Sequence, residues 1–184
     1  LFSATLDGAI RRIVDRYLAD PVAHEVESDE PTVDQMEHRF FYVHQLDKVK
    51  VAAAICRGVD RALVFTNTKR AADKVAQQLE REGVKAMAIH GDLRQPARER
   101  ALAQFSTGKV PVLVATDVAA RGLHIDGVDV VVHYDPTDDS TSYLHRSGRT
   151  ARAGRTGVAV TLMLWNQEND VRGVMRRLAL TQPI

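Results

Sequence analysis

Four arginines, Arg146, Arg149, Arg152 and Arg155, stand three residues apart in the run His145-Arg146-Ser147-Gly148-Arg149-Thr150-Ala151-Arg152-Ala153-Gly154-Arg155. No acidic residue occurs between Thr141 and Gln167 to balance them. Guanidinium groups crowded in this way repel one another unless an anion sits among them. The planar fork of arginine binds phosphate oxygens in pairs and keeps its charge, and glycines at 148 and 154 let the backbone come close. The chemistry implied is the binding of a triphosphate or a nucleic-acid backbone; a solvated basic loop is the competing reading.

Four further polar segments follow apolar runs directly: Thr66-Asn67-Thr68, His90-Gly91-Asp92, Thr116-Asp117 and Asp135-Pro136. The runs before them, Ala62–Phe65, Ala86–Ile89, Val110–Ala115 and Val128–Tyr134, are rich in Val and Ile, as is a fifth, Val158–Trp165. Such runs largely lack in/out alternation, as expected of parallel strands buried on both faces. Between them, Thr68–Glu82 has a helical apolar face (Ala71, Ala72, Val75, Ala76, Leu79) with Gly83 as its stop. Pro96–Phe105 reads as a second helix, with Pro96 in its first turn and Gly108 past its end. Alternating strands and helices predict an α/β fold with a mainly parallel sheet flanked by helices. Ligands of open α/β sheets bind beyond the carboxyl ends of the strands, so the four polar segments converge on one edge. Taken singly, each is also an ordinary cap or turn.

Ahead of this rhythm, residues 7–20 read as an amphipathic helix with Ile10, Ile13, Val14, Tyr17 and Leu18 on one side, Asp7 as N-cap and Pro21 as stop. Residues 21–37 carry two prolines, six acids and no Lys or Arg, and read as linker. The chain has 25 basic and 24 acidic residues in all, so the remainder outside 21–37 carries a balance of +7, compatible with a polyanionic partner. Phe40, Phe41 and Tyr42 look like strand residues, and Trp165 reads as core at the end of its strand. His24, His38, His44 and His133 are scattered without metal-ligand spacing. Cys56 is alone, which excludes an internal disulfide and a cysteine zinc cluster and fits a reducing cytoplasm. No stretch has the length and apolarity of a membrane span.

The arginine run, as His145-Arg146-x-Gly148-Arg149-x-x-Arg152, resembles motif VI of superfamily 2 helicases, and its leading His resembles the DEAD-box RNA helicase branch. Val64-Phe65-Thr66-Asn67-Thr68 resembles motif IV. His90-Gly91-Asp92 with Gln95 and Arg98 resembles the HGD…QxxR segment, and Ala115-Thr116-Asp117-Val118-Ala119-Ala120-Arg121-Gly122 resembles motif V. Ser3-Ala4-Thr5 resembles motif III, which closes the first RecA-like domain of that family. The resemblance implies a RecA-like three-layer fold and a division into 1–37, the tail of a first domain with its exit helix and linker, and 38–184, the C-terminal RecA-like domain.

The same resemblance implies roles. Arg149 and Arg152 would reach the γ-phosphate of ATP as arginine fingers, with Gly122 and Asp126 also at the nucleotide. His145 would couple that loop to Ser3 and Thr5, and Arg146 would brace the site. Thr68, Gly91, Arg98, Thr116 and Arg121 would lie along the RNA sugar-phosphate backbone, a contact that positions a strand without reading bases. ATP and Mg²⁺ would be held mainly by the N-terminal RecA-like domain, because this chain has neither a G-x-x-x-x-G-K-[ST] loop nor an Asp-Glu-Ala-Asp. The fragment alone is therefore expected to be inactive, and its partners to be RNA and that domain, with no membrane. At motif V the family's acid after Arg-Gly-x is replaced by His124, with Asp126 two residues later. Asp126 is the favoured ribose ligand, His124 the alternative, and loss of the contact the third case. Two rival functions carry the same fold: a superfamily 2 DNA helicase domain, against which His145 speaks, and a non-enzymatic RNA-binding module, against which Arg149 and Arg152 speak.

Overall fold

Strands with branched apolar residues on both faces must be covered from both sides, and the computed structural model, which describes residues 8–22, 36–120, 125, 127–150 and 157–184, has that arrangement. The elements in order are α1 (Gly8–Tyr17), β1 (Met36–Tyr42), α2 (Lys48–Arg57), β2 (Ala62–Phe65), α3 (Lys69–Arg81), β3 (Ala86–Ile89), α4 (Gln95–Ser106), β4 (Val112–Ala115), α5 (Asp117–Ala120), β5 (Val130–His133), α6 (Ser140–Ser147), β6 (Gly157–Met163), a 3₁₀ turn (Trp165–Gln167) and α7 (Glu168–Arg177). The six strands form one sheet in the order β1-β6-β5-β2-β4-β3, with every pairing parallel.

Successive strand residues point to opposite faces, and two core layers follow from this. Ala62, Val64, Val112, Val114, Val130 and Val132 pack with Ala52, Ala53 and Cys56 of α2 and Ala72, Val75 and Leu79 of α3. The alternate positions Leu63, Phe65, Leu113, Ala115 and Val131 pack with Ala101 and Phe105 of α4 and Ala119 and Ala120 of α5. A third cluster joins Phe40 and Met163 to Tyr143 of α6 and to Val171, Val174 and Met175 of α7. The expected layers of helix, parallel sheet and helix are present.

Local signals act where the sequence places them. The Thr68 side chain accepts a hydrogen bond from the Ala71 N–H at 3.1 Å and opens α3. Gly83 beyond its end has φ +81 and Gly108 beyond α4 has φ +71, a conformation that costs other residues about 1–2 kcal/mol. α1 ends at Tyr17, ahead of Pro21, because Asp20 turns to φ +49 and the residue before a proline avoids helix; its expected cap Asp7 lies outside the described residues. β1 begins at Met36, two residues before the strand rhythm expected from 38.

Trp165 is a correction. It is 83% exposed and not core. β6 stops at Met163, and the Leu164 N–H donates to the Gln167 side-chain carbonyl at 2.9 Å, turning the chain off the sheet before Trp165 can be covered. Among the described residues, no helix is long and apolar enough to cross a membrane.

Candidate functional site

The parallel order brings the carboxyl ends of β5, β2, β4 and β3 side by side, and their polar extensions continue the ladder. The Thr66 N–H donates to the Ala115 carbonyl at 3.0 Å, Asp135 N–H to Phe65 carbonyl at 3.1 Å, and Thr116 N–H to Ile89 carbonyl at 3.4 Å. The Asp135 carboxylate accepts from the Asn67 N–H at 3.0 Å. These bonds fix Asn67, Asp117 and Asp135 around one point above the strand ends.

Arg146 of α6 fills that point. It is 2% exposed. Nε and Nη2 donate to the two oxygens of Asp117 at 2.6 Å each, Nη1 to the Asp135 carbonyl at 2.8 Å, and Nη2 also to Asn67 Oδ1 at 3.2 Å. The guanidinium carbon stands 5.3 Å from the centre of the Phe65 ring. A buried cation needs a partner and full hydrogen bonding, and Arg146 has both. It is a brace between the ends of β2, β4 and β5.

Arg149 lies three residues further along, in the turn that follows α6. The Arg149 N–H donates to the Arg146 carbonyl at 3.2 Å, Thr150 N–H to Ser147 carbonyl at 3.1 Å, and Val128 N–H to Arg149 carbonyl at 3.3 Å. The Thr150 hydroxyl donates to the Val128 carbonyl at 2.5 Å. The backbone of 146–150 is thus pinned, and Arg149 and His145 line one cleft with Phe65, Asp117, Ala120, Ser142 and Arg146. Imidazole, hydroxyl and guanidinium donors in one cleft fit the phosphate end of a nucleotide. The acid there, Asp117, is already taken by Arg146, so this set does not fit a metal ion. Among the described residues no group of three His, Cys, Asp or Glu could hold one.

The residues expected along RNA divide into two groups. Thr68 is an N-cap, and Lys69 beside it forms an ion pair with Asp92 and passes 3.6 Å from where a Gly91 side chain would begin. The Lys69 hydrogen bond holds the Asp92 carboxylate below its ordinary value. That separation is ordinary contact, so Gly91 is not required by crowding within this chain. Arg98 of α4 donates to the Ala119 carbonyl at 3.0 Å, and Thr116 is buried at the head of α5. Arg121, Gly122, His124, Asp126 and Arg152, with Ser3 and Thr5, lie outside the described residues.

Three interactions join residues that the sequence alone leaves apart. Lys48, 1% exposed, sits 4.8 Å over the Tyr134 ring with its amine 3.8 Å from Asp135; burial lowers its pKa and Asp135 opposes the shift. Asp117 is the counter-charge of Arg146; an acid directly after a strand was its available signal. His38, His133, Tyr143 and Ser147 form a buried polar group beneath α6. The four-residue spacing of Tyr143 and Ser147 marks them as one helix face.

Residues 47–154 match the family described as Helicase conserved C-terminal domain. The chain is 43% identical over 165 residues to the DEAD-box ATP-dependent RNA helicase CshA of Geobacillus kaustophilus, covering 89% of this chain and 35% of that protein. It spans about a third of the length of the curated relatives it matches. S. cerevisiae Dbp5 bound to RNA and ADP BeF3 superposes with a TM-score of 0.83 at 31% identity, over 99% of this chain and 49% of that one. The E. coli DEAD-box protein SrmB, in its complex with the regulator RraA, superposes with a TM-score of 0.73 at 32% identity, over 80% of this chain and 88% of that one.

Proposed function

The chain belongs to the helicase conserved C-terminal domain family, on its DEAD-box branch, and from that premise we propose that it is the second RecA-like half of an ATP-dependent RNA helicase. In this reading residues 1–37 are the tail of the first half with its linker, and 38–184 close over a nucleotide and an RNA strand held by both halves. Bound ATP supplies the phosphoanhydride whose hydrolysis drives the cycle, with Mg²⁺ held by the preceding domain.

The observation that carries the reading is the division of labour within α6 and the turn after it. Arg146 is consumed by Asp117, Asp135 and Asn67, while Arg149, on a pinned backbone, lines the open cleft with His145. A pure binding module has no need for an arginine on a backbone pinned at a cleft. Arg149, together with Arg152, neutralises charge on the transferring phosphoryl group, the job of an arginine finger. Gly122 and Asp126 complete the nucleotide side, and His145 links this loop to Ser3 and Thr5. On the RNA side Thr68, Gly91, Arg98, Thr116 and Arg121 follow the sugar-phosphate backbone, so binding is nearly sequence-independent. The binding of RNA and ADP BeF3 by Dbp5, which shares this fold, supports the reading.

The test is RNA-stimulated ATP hydrolysis by the full-length protein carrying Arg149→Ala. Turnover should fall by about 10³-fold or more, the scale of a lost arginine finger, with the KM for ATP changed far less. Turnover close to that of the unsubstituted protein would remove Arg149 from the reaction.

A further inference from the structure

Beneath α6 lies a buried group that no part of the proposed reaction uses. His133 ends β5, is fully buried, and its Nε2 is 3.1 Å from the Ser147 hydroxyl oxygen. Its ring stacks on Tyr143 with centroids 4.5 Å apart and planes at 15°. Tyr143 in turn is hydrogen-bonded through its hydroxyl to His38 Nδ1 at 2.8 Å, so the phenol is tied to β1 as well. His133 Nδ1 is buried without a hydrogen-bond partner.

That last fact sets the tautomer. An orphaned buried N–H is rarer and costlier than an under-used lone pair, so the proton belongs on Nε2, where it is donated to Ser147 Oγ. Burial, and to a lesser extent the charge of Arg146 and the nearby His38, hold the ring well below its ordinary pKa, which keeps it neutral. Ser147 is the last residue of α6, and its own carbonyl accepts the Thr150 N–H that closes the turn containing Arg149. One residue thus takes the His133 bond on its side chain and sets the arginine turn with its backbone.

We propose that His133 and Ser147 are a positioning pair, one buried hydrogen bond that fixes the end of α6 so that the turn 146–150 presents Arg149 to the cleft. The clamp on Arg146 and the bond to Ser147 thus hold two adjacent residues at the start of this turn. The proposal rests on the reading of Arg149 given above.

The experiment uses the full-length protein and compares Arg149→Ala, Ser147→Ala, His133→Phe and the last two combined. Phenylalanine keeps the stack on Tyr143 and removes the hydrogen bond; Ser147→Ala removes the same bond, together with the interaction of the Ser147 hydroxyl with Tyr143, and carries the test where His133→Phe does not fold. Each single variant should lower kcat for RNA-stimulated ATP hydrolysis by about tenfold, the scale of one well-placed hydrogen bond, with KM for ATP within about twofold. The combined variant should lose no more than Ser147→Ala alone, since that substitution already removes the shared bond. His133→Gln, which restores a side-chain N–H, should recover part of the loss. If Ser147→Ala and His133→Phe turn over normally while Arg149→Ala does not, the pair is only structural and the proposal falls. If Arg149→Ala itself turns over normally, the underlying reading falls and takes the pair's role with it.

Discussion

The two ends of the sheet use the same acid for different work. At the amino ends of the strands, Asp129 precedes β5, and its carboxylate accepts the N–H groups of Asp60 and Arg61 at 3.1 and 2.9 Å. Two backbone N–H groups meet this half-buried carboxylate, and the turn is closed. At the carboxyl ends, Asp117 and Asp135 meet the buried cations Arg146 and Lys48. The first arrangement caps a fold. The second gathers charges from distant parts of the chain, pairs Arg146 and Lys48 with acids, and borders a cleft lined by Arg149 and His145. An acid at a strand end is therefore weak evidence for a site; a buried cation converging on it from another element is stronger.

The contrast has a measurable scale. Asp117→Ala leaves the Arg146 guanidinium buried beside a lost partner, and breaking such a pair costs about 3–5 kcal/mol. Urea unfolding of this chain should show that loss. Combining it with Arg146→Met should recover part of it, because removing both charges is cheaper than stranding one. Less than about 1 kcal/mol lost in Asp117→Ala would mean that water reaches Arg146 and that it is no brace. Asp129→Ala at the other end removes bonds to two partly exposed backbone groups, for which about 1–3 kcal/mol is expected. Equal losses at the two ends would erase the distinction drawn between them.

The same contrast explains what the sequence made legible. The runs Ala62–Phe65 and Ala86–Ile89 coincide with β2 and β3, since their burial is set by their own composition. Thr68 and Gly83 mark α3 through purely local chemistry. α2 is harder to read: Val49, Val51, Ala52, Ala53, Ile55 and Cys56 put apolar residues on most of its circumference, so no helical stripe separates it from a strand. Within the arginine run, spacing cannot tell Arg146 from Arg149. Asp117, which decides the matter, is 29 residues away and meets Arg146 only once β4 and β5 flank β2. His38 and His133 look scattered for the same reason. β6 lies between their strands, and Tyr143 of α6 spans both, a juxtaposition made by the order β1-β6-β5. Trp165 shows the opposite limit, because an apolar run reads as one strand until a turn takes its last residue off the sheet.

The smallest expected effect concerns the other end of α6. Asp139 is its N-cap, and the carboxylate accepts the Ser142 N–H at 2.6 Å. That backbone bond, with a lesser contribution from the charge of Arg177, holds the carboxyl below its ordinary value. A carboxyl lowered on folding stabilises the folded chain at pH values above its unfolded pKa of about 3.9, and that stability is lost as pH falls through the lowered folded value. The group is mostly exposed, so solvent screening keeps the electrostatic part below about 1 kcal/mol. Asp139→Asn keeps a capping oxygen and removes the charge. The unsubstituted chain should therefore be slightly more stable than Asp139→Asn near neutral pH, and the gap should close below about pH 4, where the carboxyl protonates. Taking the difference between the two proteins at each pH cancels the other carboxylates that titrate in the same range. A gap that stays constant down to about pH 3 would show that Asp139 holds α6 by geometry alone, and the end of α6, ahead of the turn that carries Arg149, would then owe nothing to charge at the helix start.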